Sequence, residues 1–217
     1  MPTNRITVGV ETTPKKCFAA ALDWPGWSRA GRDPDAALAA LAEYADRFGP
    51  VAVAAGYPLP TTVTLHEVER LPGGMTTSFG APEITFDADH RPVSAAEAKR
   101  TAALVAAAWA LFDEVAARTP ETLRKGPRGG GRDRDKMIDH VLGAEKAYAS
   151  KLGLKVPTPT LGDTAAIEAQ RQAILAVLGE RSDGEPVREK GWTTRYAARR
   201  IAWHVLDHVW EMEDRTE

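Results

Sequence analysis

Beyond Arg91-Pro92 the apolar residues of this chain settle into helical spacing throughout, and that shift limits the folds open to it. Upstream, short apolar runs alternate with polar residues or are cut by proline and glycine. Arg5 to Glu11 sets Ile6, Val8 and Val10 on one side of a strand. Thr12 to Lys16 is a turn and Cys17 to Asp23 a second strand, which Pro25-Gly26 bends and Trp27 to Ala30 continues. Asp33-Pro34 is an N-cap followed by proline at the first helical position. Leu38, Leu41, Ala42, Ala45 and Phe48 then keep helical spacing up to Gly49-Pro50. Strands are expected again at Val51 to Ala55, Val63 to Val68 and Glu83 to Phe86, with hairpin turns at Gly73-Gly74 and Asp87 to His90.

Downstream, apolar residues recur every three or four positions. Ser94 and Glu97 form a capping box ahead of an alanine-rich helix ending at Arg118. Asp133 or Asp135 starts a second helix, Asp163 or Thr164 caps a third, and a fourth runs from about Thr193 to Asp214. Four amphipathic helices with true linkers close most simply as a bundle. The expected fold is therefore α+β: a small β-rich α/β domain over residues 1–91, then a four-helix bundle over residues 92–217.

Composition narrows the function classes. A formal net charge of −2 gives no general attraction to nucleic acid. No run approaches the roughly 20 apolar residues that span a bilayer, and the N-terminus lacks the apolar stretch of a signal peptide. Cys17 is the single cysteine, so no internal disulfide forms, and it reads as a small core residue. A cytoplasmic protein, without membrane or nucleic-acid partners and with a homodimer as one option, is the resulting expectation. Trp24 and Trp27 flank Pro25-Gly26 as either an interface patch or ordinary core.

The chemistry-bearing residues lie in the helical part. His204 and His208, four apart in one helix, share a face and can hold one metal ion. With His140 in another helix, a three-imidazole site between helices is open to the chain, as is the plainer reading of hydrogen-bonded core histidines. Glu211, a turn beyond His208, could be a fourth ligand, a general base or a hydrogen-bond acceptor that orients a ligand. Asp207 is more naturally a salt-bridge residue. The loop Gly126 to Gly131 and its neighbours carry Arg128 and Arg132, which read either as a solvated interhelical loop or as a grip for a phosphate or an anionic thiol cofactor, without a P-loop ending. Arg195, Arg199 and Arg200 form a basic patch expected to pair with acidic neighbours. His66 and His90 read as surface residues.

Two segments carry resemblances. Phe18-Ala19-Ala20-Ala21-Leu22-Asp23-Trp24-Pro25-Gly26, Gly31, and Asp33-Pro34-Asp35-Ala36-Ala37-Leu38 together resemble the HicB-like antitoxin domain. That resemblance implies a packing, dimerising or partner-binding unit. Asp139-His140-Val141-Leu142-Gly143-Ala144-Glu145, followed by Trp203-His204-Val205-Leu206-Asp207-His208 in the last helix, resembles the DinB-like superfamily. This second resemblance covers residues 93 to 217. It implies a metal-binding bundle with His140, His204 and His208 as ligands to a divalent transition metal such as zinc, nickel or iron. It further implies thiol-dependent transferase or isomerase activity of the mycothiol or bacillithiol type, with a small thiol or electrophile as partner. The alternative is a non-enzymatic interaction or regulatory protein, in which the HicB-like part binds a partner and the metal site is vestigial.

Overall fold

Three short strands and a returning fourth build the N-terminal sheet. The computed structural model describes residues 4–126 and 130–216. Strands β1 (Arg5–Thr12), β2 (Cys17–Ala21) and β3 (Ser28–Gly31) precede helices α1 (Pro34–Glu43) and α2 (Ala45–Ala54), and β4 (Thr64–Pro72) follows. The sheet order is β3-β2-β1-β4. The first three strands are antiparallel neighbours, and β4 lies parallel to β1, as the helical crossover allows.

The structure corrects several expectations. Pro25-Gly26 does not bend one strand: it reverses the chain, so that Ala20 pairs with Ser28 in a β2–β3 hairpin. Gly26 has φ +96°, and a Cβ there would sit 2.7 Å from Leu206 Cδ1, so both backbone and packing require glycine. The following helix breaks at Tyr44 rather than at Gly49-Pro50, and α2 continues through Pro50. The hydrogen bond that proline forfeits is outweighed by burial of Phe48, Val51 and Ala52. Val51 to Ala55 is thus helical or helix-capping, not a strand.

Gly73-Gly74 leads into a short helix, α3 (Met75–Phe79), and Asp87–His90 is a 3-10 turn. Residues 83–86 form no strand. Glu11, 1% exposed, accepts instead from Glu83 N at 3.0 Å, Ile84 N at 2.7 Å and Thr77 Oγ1 at 3.0 Å, and Asp89 accepts from Phe86 N at 2.9 Å.

The helical half follows its caps closely. Helices α4 (Ala95–Arg118), α5 (Arg134–Lys151), α6 (Thr164–Leu178) and α7 (Thr194–Arg215) start after Ser94, Asp133, Asp163 and Thr193. Each of α4 and α5 packs on both α6 and α7, which closes a four-helix ring. The architecture is mixed α+β, a sheet followed by a bundle-like set of helices. Among the described residues no helix is long and apolar enough to cross a membrane.

The long helix α7 is buried on nearly every face because it serves both halves. Trp203 meets Phe18 of β2 edge-on at 5.9 Å, Arg29 of β3 pairs with Asp207 at 3.1 Å, and Arg47 of α2 pairs with Glu213 at 2.9 Å. One hydrophobic cluster runs from Val8 and Phe48 through Leu104 and Ile201 to Trp210. Trp27 belongs to it, stacked on Phe48 at 5.4 Å, so it is core rather than interface.

Candidate metal centre

His204 and His208 project from the middle of α7, where Ala197, Ala198, Ile201 and Val205 fix the helix against its neighbours. Helix α5 runs antiparallel beside it: His140, near its start, meets His204 and His208, while Tyr148, two turns on, meets Trp192 and Arg200. The ring centroids of the three histidines are 4.8–5.1 Å apart. One ring nitrogen from each lies within 4.8 Å of those of the other two, and the Nε2 atoms of His140 and His204 are 3.1 Å apart. Two imidazoles on one tetrahedral ion, with metal–nitrogen distances of about 2.0–2.1 Å, hold their nitrogens roughly 3.3 Å apart. The closest pair is already at ligating separation.

The surroundings of His140 and His204 favour the neutral ring. Burial, then the Arg132 and His208 charges, push His140 down to about 4. His204 is pushed well below the usual histidine range, first by burial and then by His208 and His140. A neutral imidazole offers a lone pair, the form a cation requires.

The supporting contacts are specific. Glu211 Oε2 lies 2.9 Å from His208 Nδ1, and its other oxygen pairs with Arg215 at 3.1 Å. That hydrogen bond, with the Arg215 and Arg132 charges, draws Glu211 below the ordinary carboxylate value. The arrangement assigns the His208 proton to Nδ1 and leaves Nε2 as the free lone pair. His204 Nδ1 is buried and has no protein partner, and the Tyr148 ring packs against the His204 ring at 5.9 Å. His140 is partly exposed, so the cluster opens to solvent on the α5 side.

Arg132 is exposed and acts on His140, His204 and Glu211 through its charge. Arg128 lies outside the described residues. Asp207 is engaged with Arg29, the salt-bridge role expected of it. His66 lies on β4 and His90 in the 3-10 turn, both outside the cluster. The basic patch divides: Arg195 pairs with Glu97 and Arg199 with Asp89, whereas Arg200 has no carboxylate partner among the described residues. Pairing of Arg200 with an acidic neighbour is therefore corrected. Its step of four before His204 was the sequence signal that it shares the histidine face of α7. Comparison with family models, curated proteins and solved structures found no match.

Proposed function

We propose that the chain holds one divalent transition-metal ion through His140, His204 and His208, and that the helical half is a DinB-like bundle acting on a small thiol or an electrophile. The convergence of three imidazoles from two helices, two of them held in the neutral form, carries this reading. The donor set suits zinc, nickel or iron, and three protein ligands leave coordination positions free, as in catalytic rather than closed structural sites. A bound ion of this class lowers the pKa of a water or thiol and polarises a carbonyl.

The chain's own residues define the rest. Glu211 orients His208 and is a positioning residue, because both of its oxygens are already engaged. Buried His204 sets the dry floor, and partly exposed His140 marks the approach. Arg132 gives that approach a positive charge that favours anionic substrates, such as thiols bearing carboxylates.

Elemental analysis of untagged protein beside the His204→Ala variant tests the proposal. About one equivalent of metal, lost in the folded variant, is expected; equal metal content in both overturns it. Turnover with mycothiol or bacillithiol as the thiol probe then tests the transferase assignment. The alternative, an interaction protein, draws on Met75 and Phe79 of α3, which are 73% and 82% exposed. Metal-free protein that takes up no added ion moves the assignment there.

A further inference from the structure

A second candidate site lies between α7 and the sheet. Ser28 of β3 and Arg200 and Trp203 of α7 line a small cavity of about 10 Å³, closed by Gly26, Trp27 and Pro82. That is room for one small species. Ser28 Oγ, Arg200 Nε and Trp203 Nε1 are buried and have no hydrogen-bond partner in the protein. Two of the three, the guanidinium and indole N–H groups, can only donate, and the serine hydroxyl can rotate to donate as well.

Charge decides what fits. Arg200 is 9% exposed, and its other nitrogens reach only neutral acceptors, the Pro82 carbonyl and the Tyr148 hydroxyl. Its guanidinium carbon lies 5.1 Å from the centre of the Trp203 ring. Among the described residues no carboxylate pairs with it, unlike Arg199 beside it, which has Asp89. A buried cation without a counter-charge is costly, and so are buried donors without acceptors. A water molecule would accept from two donors and then need acceptors for its own hydrogens. A monatomic anion accepts from such donors, donates nothing and neutralises Arg200.

We infer that Ser28, Arg200 and Trp203 form a buried halide site, with chloride as its ordinary occupant, clamping α7 to the sheet.

Thermal unfolding at fixed ionic strength, with sodium chloride or bromide replacing sodium gluconate and EDTA present throughout, tests it. Gluconate is too large to enter. The midpoint should rise by roughly 3–5 °C for each tenfold increase in halide above its Kd. Trp203→Phe, which keeps a ring but removes the N–H, and Ser28→Ala should each flatten this slope. Diffraction from bromide-soaked crystals should place anomalous density in the cavity. A flat wild-type profile, a slope unchanged in both variants, or a cavity holding only water overturns the inference.

Discussion

Removing the Asp89 carboxylate should be among the most damaging single changes in the sheet-to-helix contact. Asp89 and Arg199 are 2% and 7% exposed at the side chain. Arg199 Nε donates to Asp89 Oδ1 at 2.9 Å, and a second guanidinium nitrogen donates to Oδ2. Asp89 Oδ2 also accepts from Phe86 N at 2.9 Å, which holds the 3-10 turn. Asp89→Ala leaves Arg199 buried with only the Ile84 carbonyl, at 3.3 Å, as a polar partner. Breaking one side of a buried ion pair costs about 3–5 kcal/mol, and the orphaned amide adds about 1 kcal/mol. The sum, about 4–6 kcal/mol, lowers the unfolding midpoint by roughly 10–20 °C in a chain of this size. Asp89→Asn, which keeps an acceptor but not the charge, should lose about half as much. The double variant Asp89→Leu/Arg199→Met should recover most of the loss, since an apolar pair replaces a desolvated one. Urea unfolding of wild type, Asp89→Leu, Arg199→Met and the double variant measures the cycle, with Asp89→Ala and Asp89→Asn run beside them. A cost below about 1 kcal/mol for Asp89→Ala, or a double variant as unstable as the summed singles, would refute the reasoning.

Three further outcomes are expected. Glu211→Gln should weaken metal uptake by about 10–100-fold while leaving the fold intact, measured by competition with a chromogenic chelator. Gly26→Ala should destabilise by more than about 1 kcal/mol in denaturant titrations, because it strains a positive φ and drives a methyl into Leu206 and Ala202. Glu97 is drawn down to about 2 by its bonds to Ser94 and Arg195. Its contribution is therefore present above the ordinary carboxylate value and lost as pH falls towards 2. Glu97→Gln should flatten that part of the acid profile, by no more than about 1 kcal/mol given its exposure to solvent.

Local signals were legible where a few neighbouring residues settle the structure. Asp33-Pro34, the Ser94–Glu97 box, Asp163 and Thr193 mark helix starts that the chain uses, since a cap satisfies amides within one turn. The histidine stripe of α7 was equally legible, because spacing of four is a property of the helix itself. Pairing was not. That Val51 to Ala55 is helical depends on where Phe48 and Val51 bury, and that residues 83–86 need no strand partner depends on Glu11 far upstream.

The sequence by itself determined which segments are helical in the second half, and which imidazoles share the α7 face. Only the tertiary structure decided that His140 comes within 3.1 Å of His204, and that Arg200 meets no carboxylate among the described residues. The physical reason is range. Caps and periodicity are decided over one or two turns, whereas burial, pairing and ligand geometry depend on residues that only the packed core brings together.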